Sequence, residues 1–167
     1  MQMITRLVAV GAMASLLSSS WLLASEPDVP FPAQIAAAKK VFLANAGSDS
    51  DLYPKTSIDK DHLYRSTYLA LREWGRFELV STPGQADLIA EVHIVDEPTP
   101  SASGWSVLQI RVNLALRDPT TQTSLWVFTE RPKRGSSKDF DAAQQLLVAD
   151  FKDLVTRALA AQKTAAP

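Results

Sequence analysis

The chain has 167 residues, with 17 Lys and Arg against 18 Asp and Glu, and no cysteine. So even a balance of charge excludes a general electrostatic pull toward nucleic acid or anionic lipid. The lack of cysteine excludes disulfides, thiol chemistry and anchoring through a lipobox cysteine.

Arg6 supplies a short positive region at the start, followed by an apolar run over residues 7–14. Leu16, Leu17 and residues 21–23 extend that run past several serines, and Ala24 or Ser25 offers a small residue for cleavage. This is the layout of a secretory signal peptide over residues 1–25, and it predicts a secreted, most plainly periplasmic, protein. A retained anchor helix is the alternative, although the serine-interrupted run is short against the about 20 apolar residues of a span. Cleavage removes Arg6 as its one charge and takes the formal net charge from −1 to about −2. The remaining length suits one domain with one ordinary core.

Residues 26–38 read as a Pro-rich leader, extended at first, with a turn or two of helix possible from residue 33. Val41, Phe42 and Leu43 predict a short buried strand, and residues 47–54 a polar loop. The spacing then turns helical over residues 59–74. Leu63, Thr67, Leu71 and Trp74 form a stripe that Tyr64 and Tyr68 widen. Ser57 or Asp59 can cap its start, and Gly75 stands where a helix end wants glycine. Residues 77–80 predict a brief strand, ended by the Pro83-Gly84 turn. Residues 87–95 alternate as a half-buried strand, and the Pro- and Ser-rich residues 98–103 predict a mobile loop.

A hairpin follows. Leu108, Ile110, Val112, Leu114 and Leu116 alternate with polar or small residues, and Asp118-Pro119-Thr120-Thr121 reads as a type I turn. With Asp118 opposite Thr123, Leu125 and Val127 join the apolar side. Trp126, Phe128 and Glu130 then fall on the polar side, with Trp126 opposite Ala115, Phe128 opposite Asn113 and Glu130 opposite Arg111. After a basic stretch, Phe140, Ala143, Leu147, Phe151, Leu154 and Ala158 step onto one face of a long helix that Ser137 or Asp139 can cap. Residues 39–162 thus make a single α+β domain, with residues 163–167 a disordered tail. The order β-α-β-β-β-β-α predicts a two-layer fold: a mostly antiparallel sheet with both helices packed on one face.

The succession of Gly75-Arg76-Phe77, an Ala86-Asp87-Leu88-Ile89 strand, and a hairpin reading Leu116-Arg117-Asp118-Pro119-Thr120 with Leu125-Trp126 on the return carries a resemblance. It is similar to the amino-terminal domain of TolB and to the CsgG and LpoB envelope proteins, over about residues 39–160. The resemblance implies a periplasmic domain that contacts other envelope proteins without chemistry of its own. No β-propeller follows, unlike TolB, and the anchoring cysteine of CsgG and LpoB is missing.

No motif marks a catalytic or cofactor site. Glu91 and His93 share a strand face and offer two metal ligands with no third at matching spacing. The residues 47–51 alternate oxygen donors but lack the glycine and closing glutamate of a calcium loop. No Gly-x-Ser-x-Gly elbow or phosphate-cradling glycine loop occurs. No cofactor and no metal are expected. Two surfaces remain. Trp126 and Phe128, with Arg111, Asn113 and Glu130, form a candidate partner-binding patch of exposed aromatics; the alternative is that a helix, leader or loop covers them. Arg131, Lys133, Arg134 and Lys138 form a patch able to hold an anionic partner, or simply a solvated linker. The expected function is a non-catalytic protein-binding module of the envelope, contacting partner proteins through the open sheet face. A carrier of a small ligand or glycan using the same aromatics is the alternative, and a hydrolase with a site formed only in three dimensions is the second.

Overall fold

The computed structural model describes residues 31–50, 59, 61–100, 104–133 and 136–165, with side chains through Ala160. The signal segment, the first part of the leader, Asp51, the proposed cap Ser57 and Arg134 lie outside the described residues.

In chain order the elements are α1 (Ala33–Ala37), β1 (Lys40–Ser48), α2 (His62–Trp74), β2 (Glu78–Val80), β3 (Leu88–Pro100), β4 (Ser106–Arg117), β5 (Ser124–Glu130) and α3 (Ser137–Ala165). The strands form one five-stranded sheet in the order β2-β1-β3-β4-β5. The helices cover one face, giving the two-layer α+β fold expected from the pattern. The sheet is mixed: β1 runs parallel to both β2 and β3, while β3, β4 and β5 are antiparallel. The parallel half follows from α2, which carries the chain back across the sheet between β1 and β2 so that both strands point the same way.

The core is one cluster. Val41 and Leu43 of β1, Leu88, Ala90, Val92 and Ile94 of β3, and Val112, Leu114 and Leu116 of β4 supply the sheet side. Leu63 and Leu71 of α2 and Phe140, Leu147, Phe151, Leu154 and Val155 of α3 close over them. Phe151 is fully buried at the centre. Its ring stacks on Phe77 at 5.6 Å, meets Trp74 edge-on at 5.6 Å and lies 6.0 Å from Phe128.

Local chemistry explains the boundaries. Gly75 takes the left-handed conformation, φ 65°, and its N–H donates to Leu71 O, so α2 stops where glycine alone is unstrained. Asp59 stands just ahead of α2 and accepts the Asp61 N–H at 3.2 Å. At α3 the cap is Ser136, one residue earlier than Ser137. Its Oγ takes the Asp139 N–H while its hydroxyl donates back to the Asp139 carboxylate, a reciprocal pairing that closes the first turn. Asp87 joins the parallel strands at their start: its carboxylate accepts the Lys39 and Lys40 N–H groups, each at 2.9 Å. Those two donors hold its pKa below the ordinary aspartate value.

Several boundaries move outward from the sequence expectation. Part of the predicted leader belongs to the fold. Ile35, Ala36 and Ala38 of the α1 region are buried, Phe31 lies 5.8 Å from the Trp126 ring, and Gln34 donates to Asp118 at 2.6 Å. β1 extends through Ser48 into the predicted loop. β3 runs on through Pro98 to Pro100, where a mobile loop was expected. α3 spans Ser137–Ala165.

Candidate functional site

The hairpin turn is as expected, and the register beyond it is not. Asp118 N–H donates to Thr123 O at 3.0 Å, and the Asp118 carboxylate accepts the Thr120 and Thr121 N–H groups. The pairing then shifts by one residue. Arg117 faces Ser124 but Leu116 faces Trp126, so Leu125 is an extra residue, a β-bulge. Every later side chain of β5 changes face. Trp126 and Phe128 lie beside Leu116 and Leu114 on the core side, and Val127 and Thr129 point away beside Ala115 and Asn113. Phe128 is 9% exposed, against 48% for Val127.

The predicted aromatic patch on the open face is therefore not formed. Phe128 belongs to the core, and Trp126 is half-buried against Phe31 and Phe128. Glu130 faces Val112, not Arg111. Arg111 instead reaches Glu97 across β3 and β4, Nε to Oε2 2.6 Å. Asn113 stays on the open face, between His93 and Thr129. That face is polar and only partly paired: Arg117 binds Glu91 at 3.0 Å and His93 binds Asp49 at 3.0 Å, while Asn113 Oδ1 is buried without a hydrogen-bond partner among the described residues. Glu91 and His93 thus share a face but are held by different partners. Among the described residues no group of three His, Asp or Glu side chains is placed to hold a metal.

In the basic stretch, Arg131, Lys133 and Lys138 are exposed, while Pro132 between the first two is buried. The buried proline pins the link between β5 and α3 and leaves the three cations pointing outward.

An apolar concavity lies at the other edge of the sheet. A groove of about 610 Å³ runs between α2 and β2, floored by Phe42 and Leu43 and walled by Tyr64, Tyr68, Leu69, Leu79 and Val80. Leu69 is 52% exposed, unusual for leucine on an otherwise amphipathic helix. Arg65 and Ser81 supply the polar rim. Arg65 is held by Asp59 at 2.5 Å, and that hydrogen bond draws the Asp59 carboxyl below its usual pKa. The strand beneath the groove is incompletely paired. β2 meets only Lys40, Val41 and Phe42 of the nine-residue β1. From Leu43 onward the outer edge of β1 has no strand partner among the described residues. The sequence carried one sign of this site: Tyr64 and Tyr68 widen the apolar stripe of α2 beyond what one sheet face can cover.

No protein-family model matches the sequence, and no characterised protein matches it. Similar solved structures are found. A PelC dodecamer from Paraburkholderia phytofirmans, carrying a single Leu-to-Met substitution, is 15% identical, with a TM-score of 0.41, covering 76% of this chain and 95% of that one. A second PelC dodecamer structure from the same organism is 13% identical, with a TM-score of 0.38, covering 75% and 92%. Protein XCC0632 from Xanthomonas campestris, of the DUF330 family, is 14% identical, with a TM-score of 0.40, covering 78% and 89%. Likenesses of this depth concern the path of the chain and bring no activity, partner or assembly with them. Among the described residues no helix is long and apolar enough to cross a membrane.

Proposed function

We propose that this chain is an exported, non-catalytic binding module of the cell envelope that receives an extended segment of a partner protein in the groove between α2 and β2. The observation that carries this is the junction of two features: an apolar groove whose floor reaches Leu43, and an edge of β1 that from Leu43 onward has no strand partner among the described residues. A peptide laid there continues the line of β2, satisfies the outward backbone groups of β1 and places alternate side chains against Tyr64, Tyr68 and Leu69. The signal-like residues 1–25 and the resemblance to the TolB, CsgG and LpoB domains support the envelope as its compartment. Arg131, Lys133 and Lys138 offer a secondary contact for an acidic partner. A small ligand or glycan is the second occupant to consider, favoured by the groove's volume and its two tyrosine rings, 6.5 Å apart.

The test is site-specific photo-crosslinking in cells, with the full chain exported by its own leader. A photoreactive residue at Tyr68 is expected to give a discrete protein adduct in the processed, periplasmic form, lost on Leu69→Asp. The control is Leu146, exposed on α3. Equal adducts from both positions, or none from Tyr68, overturn the groove as the protein-binding site. Adducts on glycan alone select the second occupant.

A further inference from the structure

β3 and β4 outrun the rest of the sheet. β1 stays with β3 only as far as Ile94, and β5 stays with β4 only as far as Val112. Yet β3 and β4 remain paired out to Pro100 and Ser106. Among the described residues their outer halves form a two-stranded arm, a shape of marginal stability when it stands alone in water.

The two edges of this arm differ. Ile94 O accepts the Asp49 N–H, so even-numbered β3 residues direct their backbone groups to the outer side. Along the arm these are Asp96, Pro98 and Pro100. Proline has no N–H to give, and Asp96 adds charge, so this edge is closed to pairing. On β4, Asp118 N–H bonds Thr123 O, so even-numbered residues face the β5 side. Past the end of β5 the same alternation turns the N–H and C=O of Leu108 and Ile110 outward. Residues 106–110 contain neither proline nor charge, and Val107 and Leu108 are 51% and 48% exposed. The first charge, Arg111, is already matched by Glu97.

We propose that the outer edge of β4 over residues 106–110 pairs antiparallel with the same edge of a second copy, joining two arms into one four-stranded ribbon. A strand meeting itself about a two-fold axis presents identical donors and acceptors in complementary order. Centred on Leu108, the axis sets Leu108 against its own copy, Val107 against Gln109 and Ser106 against Ile110. No like charges meet, because the segment is uncharged. The prolines confine pairing to one edge, so the assembly closes as a dimer instead of growing.

Sedimentation velocity on the processed full-length chain tests this. Wild type is expected to associate to a dimer with rising concentration. Leu108→Lys and Leu108→Glu should each sediment as monomers with unchanged circular dichroism, because Leu108 lies beyond the helices. Mixed in equal amounts, they should return to dimer, since opposite charges then face across the axis. Leu108→Cys should give a disulfide-linked dimer under mild oxidation in a chain with no other cysteine. A wild type that stays monomeric, a Leu108→Lys variant that still dimerises, or a Lys and Glu mixture that does not associate overturns the proposal.

Discussion

Phe128→Ala set against Val127→Ala is the sharpest test of the fold. The residues are neighbours on β5, and the bulge at Leu125 alone decides which of them is inside. Phe128 is 9% exposed and packs 6.0 Å from Phe151 and 6.4 Å from Trp126, ring centre to ring centre. Truncating it removes transfer energy and leaves a cavity that its neighbouring rings cannot collapse into, a loss of about 3–5 kcal/mol. Val127 is half in water, and its truncation should cost no more than about 0.5–1 kcal/mol. A domain of this size holds about 5–15 kcal/mol in all, so Phe128→Ala should survive only narrowly. With a urea slope of about 2 kcal/mol per molar, its unfolding midpoint should drop by about 2 M, and that of Val127→Ala by less than about 0.5 M. Equilibrium urea unfolding followed by circular dichroism measures both. Without the bulge the ordering reverses, so a larger loss at Val127 than at Phe128 would refute the register.

Two further outcomes follow from single residues. Asp87 has a folded-state pKa below its ordinary 3.8 because it accepts the Lys39 and Lys40 N–H groups. Its stabilising contribution is therefore full above that ordinary value and is lost as pH falls through the lower folded one. Asp87→Asn should lower the melting temperature at neutral pH and flatten its decline on acidification, whereas parallel pH curves for the two proteins would remove Asp87 as the cause. Gly75 sits at φ 65°, and an added methyl group would meet only Glu73 O at an ordinary 4.0 Å, so Gly75→Ala meets backbone strain and no clash. It should cost about 1–2 kcal/mol by urea unfolding, and a neutral effect would mean that the α2 terminus adjusts.

The sequence by itself determined the elements whose pattern has one solution. α2 and α3 each carry a single apolar stripe, and glycine ends α2; the expected side-chain cap of α2 is not made, since Asp61 stands at its N-cap without a capping hydrogen bond. β3 and β4 alternate without ambiguity, and Asp118-Pro119 allows little besides a turn. Element order then specified the two layers, because each apolar face has only one surface available to bury it.

What the tertiary structure decided is the face of β5, the reach of the strands and the place of the groove. Leu125-Trp126-Val127-Phe128 is apolar on both parities, so alternation cannot choose between the faces. The choice falls to packing: the bulge keeps Leu125 against the core and turns Trp126 and Phe128 toward it as well, leaving only Val127 in water, which offsets a local break in the ladder. The extension of β1 through Ser48 depends on β3 lying beside it, and the partnership of Arg111 with Glu97 on β3's length. The groove arises because β2 stops after three residues while β1 continues. Such features are set by contacts between segments far apart in the chain, and no local pattern records them.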